Sequence, residues 1–175
     1  MQKQSLSLTH ELRLPKVPVE KPKLMVMLHG YGRHEGGLFG FADQLPGEYL
    51  IVSARAPIRL IWGGFCWYDI RFDEGPSRWA DPAQALASLE KLHQFIQEAE
   101  TAYQTQPGEI TLMGFSQGAI LSYAYSFRFP DKVRKVLALS GYMFSEIMPT
   151  KLPTAATQKL DYFVTHGTED PVIPI

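Results

Sequence analysis

Between Glu109 and Phe129 the chain passes from a short, mostly apolar run, Ile110–Met113, through Gly114-Phe115-Ser116-Gln117-Gly118 into an apolar stretch that Pro130 stops. Four or five residues are too few for a stable helix, so the first segment reads as a strand over 109–113 and the second as a helix over 116–129. The glycines two before and two after Ser116 leave out side chains where the two backbones must nearly touch. A strand that turns so sharply into a helix is half of a βαβ unit. Its neighbours in the sheet should run parallel to it.

The rest of the sequence repeats that grammar. Residues 5–14 alternate, with Leu6, Leu8, Leu12 and Leu14 on one face and Ser5, Ser7, Thr9, Glu11 and Arg13 on the other, which predicts a half-buried, antiparallel edge strand. Leu24–Leu28 and Tyr49–Ser53 are continuous apolar runs, as buried parallel strands require, and Leu38–Leu45 between them predicts a short helix. Residues 57–80, with Trp62, Trp67, Trp79, Gly63-Gly64 and Gly75-Pro76, predict a long ordered loop. Asp81-Pro82-Ala83-Gln84 supplies an N-cap, a proline at the first helical position and a capping-box glutamine. Leu86, Leu89, Leu92, Ile96, Ala99 and Tyr103 then mark one face of a helix of more than five turns. Val133–Leu139 and Asp161–Thr165 predict two further strands. The expected architecture is α/β: a mostly parallel twisted sheet with helices on both faces, in one domain spanning 1–175.

Seventeen basic and eighteen acidic residues are interspersed, for a net charge of −1, so nothing points to a nucleic-acid partner or a polybasic membrane anchor. No apolar run approaches a bilayer's thickness, and no stable membrane insertion is expected. The N-terminal residues lack the apolar core of a signal peptide, and the single cysteine, Cys66, reads as a packed thiol. A cytoplasmic protein is the expectation, with a homodimer as a possible assembly.

In such a sheet, ligands bind beyond the carboxyl ends of the strands. Ser116 stands there, lifted on its turn at a helix N-terminus where developing negative charge is favoured, and is the expected nucleophile. The plainer reading, a serine N-cap between two glycines, leaves the second glycine unexplained. A tetrahedral intermediate needs donors from two directions. The N–H of Gln117 is one, and the N–H of Tyr31, in His29-Gly30-Tyr31-Gly32 after the preceding strand, is the expected second. After the strand over 161–165, His166-Gly167-Thr168-Glu169-Asp170-Pro171 offers a carboxylate in the chain order Ser…Asp…His; Asp170 is the expected acid and Glu169 the fallback.

His29-Gly30-Tyr31-Gly32, Ala54-Arg55-Ala56-Pro57, Trp67-Tyr68-Asp69, Gly114-Phe115-Ser116-Gln117-Gly118, Leu139-Ser140-Gly141 and His166–Pro174 together resemble the phospholipase/carboxylesterase family of α/β-hydrolases, which includes the acyl-protein thioesterases and bacterial carboxylesterases. The resemblance runs in order from about residue 24 to the end. It implies Ser116 as nucleophile, Asp170 as triad acid, Tyr31 and Gln117 as oxyanion donors, and no metal or cofactor. It further implies that His29-Gly30 and the Trp67-Tyr68 loop border the bound acyl group. The implied substrates are acyl esters, thioesters or lysophospholipids.

The family's general base is a histidine one βα unit beyond the acid, whereas this sequence stops five residues after Asp170. The expectation is therefore a C-terminally incomplete hydrolase, lacking the last strand and helix. The alternative is a hydrolase-like domain that holds an acyl or small hydrophobic ligand without turnover. His29 belongs to the oxyanion loop, His10 to the first strand and His93 to the long helix; His34 and His166 are the ones that a rearranged triad could use.

Overall fold

The computed structural model describes residues 2–71, 79–151 and 157–173. Its centre is a six-stranded sheet of β1 (His10–Arg13), β2 (Lys23–Leu28), β3 (Tyr49–Ala54), β8 (Ile110–Phe115), β9 (Val133–Leu139) and β10 (Asp161–Thr165), in the order β1-β3-β2-β8-β9-β10. All neighbours are parallel except β1, which runs antiparallel to β3 at the edge. β2 and β8 occupy the middle, so the segments that follow them, His29–Gly32 and the Ser116 turn, emerge side by side.

Alternation along β2 sorts its side chains to two faces. Leu24, Val26 and Leu28 join a large core with α2 (Pro82–Tyr103) and α3 (Gln117–Arg128), through Leu89, Leu92, Phe95, Ile120 and Leu121. Met25 and Met27 face a smaller cluster with Leu38 of α1 (Gly36–Phe39) and Ala42. Fully burying side chains of this size stabilises by about 1.5–3 kcal/mol each, so the first face dominates the energetics. Helices thus cover both faces, but unequally. β10 contributes little to either core: Tyr162, Phe163 and Val164 are all exposed.

Several local expectations are corrected. β1 is four residues long, and its polar face is not solvent-facing at Arg13: the guanidinium is buried and donates to the carbonyls of Leu45, Pro46 and Tyr49. A guanidinium carries several donors in a fixed fork, so one side chain can serve all three carbonyls. The helix expected over 38–45 is split into α1 and a 3-10 turn at Ala42–Gln44. Asp81 caps α2, accepting from the Gln84 N–H at 3.1 Å, but Gln84 does not reach back to complete a capping box. Its amide instead grips Asp69, accepting from the Asp69 N–H at 2.8 Å and donating to Asp69 Oδ2 at 3.2 Å. The expected loop over 57–80 contains paired short strands, β4 (Ile58–Arg59) with β5 (Phe65–Cys66) and β6 (Ile70–Arg71) with β7 (Trp79–Ala80). Gly75-Pro76 lies outside the described residues. No helix among the described residues is long and apolar enough to cross a membrane.

Candidate active site

β8 carries the chain to Ser116, which has φ 52° and ψ −115°. A non-glycine residue held there costs about 1–3 kcal/mol and persists only when its surroundings dictate it. They do so from three sides. The Ser116 N–H donates to Leu139 O at 2.9 Å, and its carbonyl accepts from the Ile120 N–H at 3.0 Å. A Cβ on Gly114 would run into the backbone of Gly118 and Ala119, and one on Gly118 into Leu28 O. The strand and helix meet with no room for side chains at either glycine.

Gln117 opens α3 and its side chain is buried. Its Oε1 accepts from the Trp67 N–H at 2.9 Å and its Nε2 donates to Tyr68 O at 2.6 Å, so the turn is stitched to the Trp67–Tyr68 segment. The Gln117 main-chain N–H lies in the first turn of α3, where amides have no intrahelical acceptor and are available to a ligand. On the opposite side, Gly30 packs against the turn: a Cβ there would sit 3.3 Å from Ser116 Cβ and 3.0 Å from Phe115 Cδ1. Ser116, Gln117 and Tyr31 line one small cavity of about 90 Å³, together with Tyr68, Ile120, Tyr142, Val172 and Ile173. The larger depression near His93 and Arg128, about 680 Å³, has no nucleophile-bearing turn.

His29 and Trp67, expected to border substrate, are buried and are not among the residues that line this cavity. The His29 ring is buried; its Nε2 accepts from the Ala56 N–H at 3.0 Å, which puts the proton on Nδ1, 2.8 Å from Gly30 O. Burial lowers its pKa, despite the Gly30 contact and the nearby Glu35, so the neutral ring is favoured. The Trp67 indole N–H donates to His29 O at 2.9 Å. Gly30 and Tyr68 belong to the site more directly, Gly30 by backbone approach and Tyr68 as part of the wall.

Asp170 follows β10 in a tight turn. Its Oδ1 accepts from the N–H groups of Val172 and Ile173 at 2.8 and 2.9 Å, and those two residues line the cavity. Its Oδ2 is 3.5 Å from His166 Nε2, which also lies 2.6 Å from Ile173 O. Glu169 is exposed beside it. The remaining histidines are engaged elsewhere: His10 Nε2 with Tyr103 OH at 3.0 Å, His93 Nδ1 with Tyr125 OH at 3.1 Å, and His34 Nδ1 accepting from the Gly36 N–H at 3.1 Å. None of the five hydrogen-bonds Ser116. Burial pushes the Cys66 thiol up to about 12, which removes it as a competing nucleophile at neutral pH.

The model of the Phospholipase/Carboxylesterase family matches residues 15–175. The chain belongs to that family. As a family member it is 35% identical over 165 residues to a protein named acyl-protein thioesterase 1 from Kluyveromyces lactis, covering 87% of this chain and 71% of that one. Its fold is similar to the carboxylesterase of Bacillus cereus, with a TM-score of 0.74 at 22% identity over 95% of this chain and 74% of that one. It is also similar to the esterase PE8, with a TM-score of 0.71 at 24% identity over 98% and 79% of the two chains. At those identities the structural likeness establishes the α/β-hydrolase fold.

Some features of the site were not readable beforehand. Ile120 and Tyr142 reach the cavity from elements whose apolar residues looked like ordinary core or loop, and the bidentate ion pair of Arg55 with Glu35 joins residues twenty apart. Arg55 stands in the Ala54-Arg55-Ala56-Pro57 motif, and nothing in that motif points to Glu35.

Proposed function

We propose that this family member is a serine hydrolase that cleaves carboxylic esters or thioesters through an acyl-serine intermediate on Ser116. The observation that carries this reading is the Ser116 backbone: strained, fixed by Leu139 and Ile120, and open to a cavity shared with Tyr31 and Gln117. A buried capping serine has no reason to keep that conformation. The names of the relatives, an acyl-protein thioesterase and two esterases, support the same bond class.

In the proposed reaction Ser116 Oγ adds to the acyl carbonyl, and the resulting oxyanion accepts from the N–H groups of Gln117 and Tyr31. Collapse breaks the acyl C–O or C–S bond, the departing alcohol or thiol takes the proton given up by Ser116, and water then releases the acid and returns a proton to the serine. Asp170 is the proposed carboxylate of the triad, with its Oδ2 turned to an imidazole and its Oδ1 tied to the backbone. Gly30 and Tyr68 are proposed to contact the acyl group, while the buried His29 and Trp67 hold the segments that carry them. The cavity favours a short acyl chain. Tyr31, Tyr68 and Tyr142 give its wall aromatic faces with polar tips.

A second reading, an acyl-binding domain without turnover, draws on one specific observation: no histidine of this chain meets Ser116. Without a base, a serine nucleophile retains only about 10³–10⁴-fold over water from binding and the oxyanion hole. We further propose a single domain located in the cytoplasm. The location is in keeping with the one buried free thiol, Cys66. Homodimerisation belongs to the proposal as well, with the exposed apolar side chains of β10 as its support.

Intact mass before and after a fluorophosphonate probe tests the reading, alongside release of p-nitrophenol from short acyl esters. One adduct mapped to Ser116 with multiple turnovers supports the hydrolase. Saturable binding of a short fatty acid with no adduct supports the second reading and overturns the first.

A further inference from the structure

Five ties among the described residues hold the segment that carries Tyr31 beside Ser116, and one of the five is an ion pair. His29 O accepts from the Trp67 indole, and the His29 ring accepts from the Ala56 N–H. The Gly32 N–H donates to Phe65 O at 2.9 Å, and the Phe65 N–H donates to Arg33 O at 2.8 Å. The fifth is the carboxylate of the buried Glu35, which accepts from both Nε and a terminal nitrogen of Arg55. The same guanidinium lies over the Phe65 ring, 4.6 Å from its centroid. Arg55 therefore joins the far end of the Tyr31 turn to the strand on which the turn's backbone rests.

We propose that Glu35 and Arg55 are positioning residues for catalysis: their ion pair, seated on Phe65, sets where the Tyr31 N–H stands relative to Ser116. This rests on the reading of Tyr31 as an oxyanion donor. The physical case lies in the geometry of the pair. A planar fork engaged bidentately and stacked on a ring fixes orientation as well as distance, which a lysine at 55 would not do. The other four ties hold the segment at His29, Gly32 and Arg33; the ion pair adds a constraint beyond them, at Glu35. Oxyanion donors act in the transition state, so a displaced turn should slow the chemical step and leave ground-state binding nearly untouched.

Three variants of the full chain test this: Arg55→Met, Arg55→Lys and Glu35→Gln, each checked for a wild-type circular dichroism spectrum and assayed on p-nitrophenyl acetate. The expected result is a kcat lower by about 10–100-fold, with KM within about threefold of wild type. Arg55→Lys should recover only part of the loss, and Glu35→Arg combined with Arg55→Glu should recover more than either single reversal. A folded Arg55→Met or Glu35→Gln protein with wild-type kcat, or a kcat loss matched by a rise in KM, overturns the proposal. Where Arg55→Met does not fold, Arg55→Lys and Glu35→Gln carry the test. If the wild-type protein neither turns over the ester nor takes the fluorophosphonate, the hydrolase reading fails separately. Hydrogen exchange at the Tyr31 and Gly32 amides then decides the positioning: faster exchange in the variants supports it, and unchanged protection overturns it.

Discussion

Gly118 lies flush against Leu28, the last residue of β2, so closely that a Cβ at 118 would overlap the Leu28 carbonyl oxygen. The contact joins the first turn of α3 to the strand that leads directly into His29-Gly30-Tyr31. It therefore sets the spacing between Ser116 and the segment expected to supply the second oxyanion donor. Backbone cannot yield as a flexible side chain would.

Replacing Gly118 with alanine should accordingly cost about 1–3 kcal/mol of stability, as overpacking does, and lower esterase activity at the same time. Urea denaturation gives the first quantity and p-nitrophenyl ester turnover the second. A midpoint equal to wild type would show that α3 can back away from β2.

Ser116 presents the opposite relation between stability and activity. Its φ of 52° and ψ of −115° suit glycine far better than serine. Ser116→Gly should therefore stabilise the fold by about 1 kcal/mol while abolishing both fluorophosphonate labelling and turnover. A destabilised Ser116→Gly protein would mean that the serine side chain supports the turn.

The Gln117 side chain is the only link recorded between the turn and the Trp67–Tyr68 backbone among the described residues. Gln117→Leu leaves a buried N–H and a buried carbonyl without partners, which should cost about 1–3 kcal/mol. Turnover should also fall, because the cavity wall at Tyr68 is released. Thermal melts and kcat on the same preparation check both.

Asp170 and Glu169 are adjacent carboxylates with different surroundings, the first facing His166 and the Val172–Ile173 amides and the second exposed. Asp170→Asn should depress turnover at least tenfold, whereas Glu169→Gln should leave it within about twofold. The reverse ranking in a simple ester assay would move the triad acid to Glu169.

Acid should destabilise the protein through two sets of groups. His10, His29 and His93 all have pKa values lowered by burial from about 6.5. The unfolded chain thus binds protons first, and stability should decline as pH falls below about 6.5. Glu35 has its pKa lowered chiefly by its hydrogen bond to Arg55, so its contribution is complete above the ordinary carboxylate value of 4.5 and is lost as pH falls through the depressed one. Urea midpoints between pH 8 and pH 3 should fall in both stages, and Glu35→Gln should remove part of the lower one. A flat profile from pH 8 to pH 5 would contradict the lowered pKa values of the buried His10 and His29 and the partly buried His93.

Strand–turn–helix periodicity and the glycine spacing around Ser116 were local properties, and the sequence by itself determined them. β9 and β10 fall at Val133–Leu139 and Asp161–Thr165, as their patterns indicated, and α2 begins at its Asp81-Pro82 signal. The Ser116 turn was legible because it is written in a few contiguous residues, and the family and the α/β class because short local patterns of that kind recur in order along the chain. What only the tertiary structure decided depends on partners distant in the chain. Arg13, polar by position, is buried because Leu45, Pro46 and Tyr49 offer it carbonyls. Gln84 forms no capping box because Asp69 engages both its amide and the Asp81 N–H that the box would use. The His29 ring and the Trp67 indole are buried, each held by a partner far along the chain: the Ala56 N–H donates to the ring and the indole N–H to His29 O. Periodicity fixes which face a residue occupies, but hydrogen-bond satisfaction inside a packed core fixes what that face meets.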